Sequence, residues 1–390
     1  MAKNRTLFLT DYCLTPHVHI PNAGILCEEK KIIAVGGASA FSLDEPGLHV
    51  IDLTDAYATP GFIDSHIHGG GGYDTAKALE PDADINILCR HLATHGITTF
   101  LPTLMSYPRD KMIALTAKLA ELVEDSYEGA DPCAINLEGP FINVRKCGSQ
   151  NPEAICSIDM GYARELIAAG NGRIKLLTFA PELKDADKLI ELLLENGVIP
   201  SMGHSIANPE EVLRAIDAGA RRCTHLYNGL PPLHHRISSI TDVVLTHNDI
   251  AVELIVDGAH IDPRMVDITA RVKPNDKIIG ISNAIEFENT DGSRYFKKED
   301  GLVYTRSGVI AGTTMTLETG WAHLKNYSNM PGNLAAACFT SNPAQDLGLI
   351  TRGEIRPGKR ADITFFDLET NNVCMTVSNG SIVYKAPGKL

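Results

Sequence analysis

The sequence predicts an α/β fold: a (β/α)8 barrel of the TIM type, inserted into a small β-sandwich domain formed by both chain termini. Three observations carry that reading. The chain has 390 residues, of which 44% are hydrophobic, enough for one large barrel and a satellite, since barrels run to about 250 residues. Its middle alternates apolar strand-like runs with amphipathic helical segments, the pattern of a parallel sheet. Its two ends carry short β-rich pieces punctuated by Gly and Asn, as strands joined by turns do. The expected units are 1–57 and 346–390 for the two parts of the sandwich, and 58–345 for the barrel.

In chain order, TLFLTDYCLT, HVHIPNAGILCEEKKIIAVG and LHVIDLT supply the first sandwich strands. Eight barrel strands follow: ATPGFIDSHIH (58–68), GITTFLPT (96–103), CAINLEGP (133–140), IKLLTFAPE (174–182), IPSMGHS (199–205), RCTHLYN (222–228), AVELIVDGAH (251–260) and KIIGISNA (277–284). Between them, segments such as DADINILCRHLATH, KDADKLIELLLEN and PEEVLRAIDAGA place apolar residues at three- and four-residue spacing, several with a following Gly or Asn, which reads as helix. GEIRPGKRADITFFDLE, VCMTVSNG and SIVYK return to strand. A doubly wound open sheet is the other arrangement that fits this alternation.

Composition excludes several functions. A formal charge of −13 makes nucleic acid and anionic membranes poor partners. No run of about 18 apolar residues marks a membrane span, and the first apolar stretch is too short and interrupted for a signal peptide. Nine cysteines without any CxxC read as reduced thiols of a cytoplasmic protein rather than a zinc ribbon or disulfide scaffold. The glycines at 69–72 lack a following GK[ST] and read as a barrel-mouth loop instead of a phosphate loop. Trp321 reads as core, and the run Lys297, Lys298, Glu299, Asp300 as a solvated turn.

The chemistry sits at the strand ends. His66, His68, Thr103, Glu138, Glu182, His204, His225, Asp257, His260 and Asn283 all fall there, and barrel enzymes work at that mouth. His66 and His68 are two residues apart in a strand, so both imidazoles point to one side. Glu138 ends an apolar strand, where a carboxylate is costly to bury without a cation. Two histidines and a carboxylate make an open zinc site. Five donors suffice for two ions bridged by Glu138. Each residue alone is equally a packed barrel side chain. Together they predict one or two divalent ions, zinc first and ferrous iron second.

The segments TPGFIDSHIHGGGG, LEGPF, GHS, THLYNGLPPLHHR, DGAH and GEIRPGKRADI resemble the amidohydrolase superfamily, over about residues 50–385. Within it they look like the N-acetylglucosamine 6-phosphate deacetylases. THLYNGLPPLHHR is also similar to the N-acetylgalactosamine 6-phosphate branch. The resemblance implies a cytoplasmic homodimer or higher homo-oligomer that hydrolyses the acetamide of a phosphorylated amino sugar to acetate and a free amine. It implies Glu138, His204 and His225 as the main metal ligands and His66 and His68 as a second-metal pair. Asn228 and Gly229 match a substrate loop, and Arg236 the phosphate-binding arginine. Asp257 to His260 match a sugar-phosphate segment in which the histidine reaches a neighbouring subunit's site. Ile310 to Thr313 match a loop near the sugar.

Two residues depart from that pattern. Asn283 stands where the family has an aspartate that takes a proton from the attacking water and gives it to the leaving amine. A carboxamide does not titrate near neutrality. Gln150 stands where the family usually has a histidine close to the scissile amide. Three accounts of Asn283 remain open at this point: an introduced Asp→Asn change that traps substrate, a natural member with another base or another amide or cyclic imide as substrate, or a sugar-phosphate binding protein without turnover.

Overall fold

The computed structural model describes residues 5–124, 127–286, 295–297 (backbone only), 302–306 and 308–388. Most of the Lys297–Asp300 charge run, and every side chain of it, therefore lies outside the described residues.

All eight expected barrel strands are present. In order they are Phe62–Ile67, Ile97–Leu104, Ile135–Glu138, Ile174–Phe179, Ile199–Met202, Arg222–Cys223, Ala251–Ile255 and Ile278–Ile281, called barrel strands one to eight below. Parallel ladders join each to the next. Most end earlier than their apolar runs suggest, because the backbone leaves the ladder where the polar residues that follow build the mouth. The helices between them are set by local signals. Pro209–Ala218 begins with a reciprocal cap between Asn208 and Glu211, has proline in its first turn, and ends at Gly219 with φ 120°. Those are the expected start and stop devices. Its buried face is Val212, Ala215 and Ile216.

Strands one and eight share no ladder. The seam is closed instead by the Asn283 N–H donating to the His66 carbonyl at 3.0 Å, and by Asp64. One Asp64 oxygen accepts from the Ser282 N–H at 3.3 Å and from the His66 N–H at 3.2 Å. A side-chain carboxylate thus stands in for missing sheet bonds, and complete burial pushes it up to about 6.

The termini form one seven-stranded sheet, in the spatial order Ser381–Lys385, Val373–Ser378, Ile363–Asp367, Leu48–Pro60, Arg5–Leu14, His19–Glu28, Lys31–Gly37. The long strand Leu48–Pro60 makes this possible. It pairs in parallel with the first strand from Leu48 to Ala58, and antiparallel with Ile363–Asp367 from Ala56 to Pro60. The sheet rolls about its own core, bringing the rings of Phe8 and Phe365 to 5.2 Å although a strand separates them. Trp321, buried as expected, packs against Tyr57, Phe62 and Phe366 and so joins sheet to barrel. Arg360 and Arg352 both reach Asp131, at 2.5 and 2.6 Å, and fasten the C-terminal segment to the barrel floor. All nine cysteines are free thiols. No helix among the described residues is long and apolar enough to cross a membrane.

Candidate metal and active site

The mouth is built from residues at or just past the strand ends. His66 lies on strand one with His68 just beyond it, and Glu138 is the last residue of strand three. His204, His225 and Asn283 each sit two residues past strands five, six and eight. These last three adopt positive φ, at 46°, 25° and 50°. Left-handed backbone is costly for residues other than glycine and gathers at functional sites. Here it turns each side chain back over the barrel axis instead of letting the strand continue.

The four imidazoles are held alike. Nδ1 of His68, His204 and His225 faces the main-chain oxygens of Thr103, Lys146 and Asn228 at 3.2, 2.6 and 3.2 Å. Nδ1 of His66 faces a Glu253 carboxylate oxygen at 3.0 Å. A carbonyl or carboxylate oxygen only accepts, so the proton belongs on Nδ1. In a neutral ring Nε2 then carries a lone pair. Burial pushes His68 down to about 4 and lowers His225 as well, which favours the neutral ring. Yet all four Nε2 atoms converge on Glu138: His204 and His225 at 2.8 Å from one oxygen, His66 at 3.9 Å, and His68 at 3.5 Å from the other.

Lone pairs facing a carboxylate repel unless a cation lies among them. Burial works to raise Glu138, but positive charge at the Nε2 positions of His204 and His225, a proton or a bound cation, outweighs that and holds it well below the usual carboxylate range. It is therefore anionic. The buried His66 Nε2 has no hydrogen-bond partner, as suits a ligand atom. The donors fall into two groups sharing Glu138, namely His66, His68, Glu138 and Glu138, His204, His225, each with ligand atoms within 4.8 Å of one another. Imidazole and carboxylate suit zinc and ferrous iron, and the Nδ1 contacts supply the outer support such ligands need.

A cavity of about 230 Å³ opens over these groups, lined by His68, Glu138, Gln150, His204, His225, Asn228, Gly229, His260 and Asn283 among others. His66 lies beneath it, fully buried. Two residues expected at the site are not brought to its wall. Arg236 is exposed on the 231–238 loop. Thr313 is buried to one side, where its hydroxyl accepts from the Met315 N–H and its carbonyl from the Ile285 N–H. Its neighbours Ile310 and Ala311 do line the cavity. His260 belongs to the lining of its own chain's cavity, where it is held by Asp257 at 2.6 Å. Glu182 serves structure, accepting from Asn143, Ser205 and the Ile206 N–H.

Gln150 is oriented from behind. Its Oε1 accepts from the Ser106 N–H at 2.9 Å, which leaves Nε2 as the free end, buried and without a partner. Asn283 lies beside His68, and its Oδ1 is likewise buried without a partner. Gly229 has φ 63°, and a Cβ there would stand 2.9 Å from His204 Nδ1. Gly229→Ala is therefore expected to displace His204 and to cost about 1–3 kcal/mol of backbone strain. A lowered melting temperature together with weaker metal uptake would show it.

Sequence reasoning passed over Arg222 and Glu253. Arg222 is completely buried and Glu253 is 1% exposed. Burial works to raise Glu253, but Arg222 and then His66 bring it down to about 2. The usable signal was a charge inside an apolar run, AVELIV, since buried charges are paired or ligating.

Residues 57–385 match the sequence profile of the Amidohydrolase family. The chain is 31% identical over 340 residues to an N-acetylglucosamine-6-phosphate deacetylase of Bacillus subtilis, covering 85% of each. It is 29% identical over 315 residues to an N-acetylgalactosamine-6-phosphate deacetylase of Escherichia coli O157:H7, covering 79% of this chain and 83% of the other. The crystal structure of N-acetyl-D-glucosamine-6-phosphate deacetylase from Mycobacterium smegmatis superposes with a TM-score of 0.89 at 26% identity, covering 97% of this chain and all of that one. By profile, by relatives and by its histidine–carboxylate mouth, the chain belongs to the amidohydrolase family.

Proposed function

We propose that this protein binds an N-acetyl amino-sugar 6-phosphate at the barrel mouth and hydrolyses its acetamide to acetate and the amino-sugar phosphate, at a rate held down by Asn283. The observation that carries the reading is the convergence of four imidazole Nε2 atoms on Glu138 in a chain whose relatives bear that activity. Glu138, His204 and His225 would hold one divalent ion, zinc before ferrous iron, and His66 and His68 would share Glu138 with a second. Such an ion, when bound, polarises a carbonyl and makes water a nucleophile at neutral pH.

The remaining work falls to side chains. Gln150 Nε2, buried and without a partner, would donate to the acetamide oxygen as a neutral oxyanion donor. Asn283 would stand at the proton carrier's position and, as a carboxamide, supply a hydrogen bond only. After the proposed ligands, His260 is the one titratable residue among the described residues lining the cavity. A binding protein with little turnover is the second reading, and the carboxamide at 283 is the observation that favours it.

No lysine or arginine is among the described residues lining the cavity. A cation for the phosphate would then come from beyond these residues. We assign this role to Arg236, whose exposed loop follows the Asn228–Gly229 wall, in a cytoplasmic homodimer or higher homo-oligomer. Arg236→Ala is expected to weaken binding of the 6-phosphorylated sugar by about 10- to 100-fold, the worth of a charge-assisted hydrogen bond of about 1.5–3 kcal/mol. Its effect on the unphosphorylated sugar should be small. Calorimetric titration of the metal-loaded protein with both epimers, with and without phosphate, tests both points. Equal losses for the two kinds of ligand would remove Arg236 as the anchor. No binding of either phosphorylated epimer would refute the substrate assignment.

A further inference from the structure

We infer that Glu253, held by Arg222, is a positioning residue that ties the two metal-binding groups together from beneath. The inference rests on the metal reading above and goes beyond it, to residues that are not ligands. One Glu253 oxygen, Oε2, accepts from His66 Nδ1 at 3.0 Å and from the main-chain N–H of His225 at 3.1 Å. A single atom thus fixes one histidine from each group. The other oxygen, Oε1, accepts from Arg222 Nε at 2.9 Å and lies 2.8 Å from its Nη2. Arg222 also donates to Ser65 Oγ at 2.5 Å and to Asp346. Its side chain therefore crosses the barrel interior from strand six to strand one.

A buried ion cluster of this kind is a poor device for stability. Desolvation of the charges offsets their attraction, and apolar side chains of similar volume often hold a fold as well or better. What the cluster provides here is geometry. His68, His204 and His225 take their Nδ1 acceptors from main-chain carbonyls, of Thr103 on strand two and of Lys146 and Asn228 in the loops after strands three and six. His66 alone takes its acceptor from a side chain. Its ring orientation, and with it the aim of Nε2 at Glu138, depends on where that carboxylate is held. Arg222 holds it with a rigid fork on one side, leaving the other oxygen for the ligands. Outer partners of metal-bound histidines are typically worth 10- to 100-fold in metal affinity.

The test uses the full-length protein and cobalt(II) alone as probe, titrated against a competing chelator, with melting temperature followed in parallel. Glu253→Gln removes the charge at constant shape. Arg222→Met, Glu253→Leu and Asp346→Leu together replace the whole cluster by apolar side chains, so that stability and ligand placement separate. The expected result is a 10- to 100-fold loss of affinity at the weaker cobalt site in both variants, with the triple variant melting at or above the unsubstituted protein. Unchanged cobalt affinity at both groups in a folded variant would overturn the inference. So would failure of both variants to fold, since the cluster would then hold the barrel and not the ligands. If the unsubstituted protein itself takes up no cobalt, the metal reading fails first and the inference with it.

Discussion

Glu138→Gln is expected to abolish stable metal binding in both groups while leaving the protein folded. Glu138 is the only residue common to His66, His68, Glu138 and Glu138, His204, His225, and it is the anion on which four imidazole Nε2 atoms converge. The substitution keeps the side-chain volume, so the core around it does not collapse. It exchanges an anion for a carboxamide whose N–H can donate to His204 or His225 Nε2, satisfying without a cation the atoms that otherwise need one. The loss in affinity should exceed the 10- to 100-fold typical of outer partners, because a direct ligand is removed. Elemental analysis after dialysis against zinc or ferrous iron checks it, beside a thermal melt. Full metal retention by the variant would mean that Glu138 is not the shared ligand.

Asn283→Asp is expected to raise the rate of acetamide hydrolysis by about 10²–10⁴-fold, the usual worth of a positioned general acid–base. The exchange is isosteric. The main-chain bond from Asn283 N–H to the His66 carbonyl does not involve the side chain, so the seam should survive. The unpartnered Oδ1 would become part of a carboxylate beside His68, able to take a proton from water and return it to the departing amine. Steady-state kcat for the two proteins at matched metal loading is the comparison. A rapid Asn283 protein that Asn283→Asp does not accelerate would place the proton carrier elsewhere, with His260 the next residue to substitute.

The barrel and most of its mouth were legible because their cues are local. Apolar runs mark the strands, and His66, His68, Glu138, His204 and His225 interrupt them where a barrel's working end must fall. The i, i+2 spacing of His66 and His68 fixes their common side without knowledge of the rest. Other features depend on contacts between distant segments. The terminal strands could be expected to meet, but the rolling of one sheet about Leu48–Pro60 follows from two different partners on one strand, which no local pattern encodes. The positive φ of His204 and His225 leaves no mark in residue type, whereas Gly229 beside His204 does. Arg222 and Glu253 were hidden because each looks like an interruption of an apolar run until the other is seen opposite. Arg236 could be assigned to a loop after strand six, but loop sequence does not say how far a loop leans over a cavity.

The measurement that bears most directly on the proposed function is acetate release from acetyl-labelled N-acetylglucosamine 6-phosphate and N-acetylgalactosamine 6-phosphate, followed by NMR for the Asn283→Asp protein with and without a chelator. The expected result is acetate in step with free amino-sugar phosphate from at least one epimer, stopped by the chelator. Binding of both sugars with no acetate from either, metal present, would contradict the deacetylase assignment and leave a sugar-phosphate binding protein in its place.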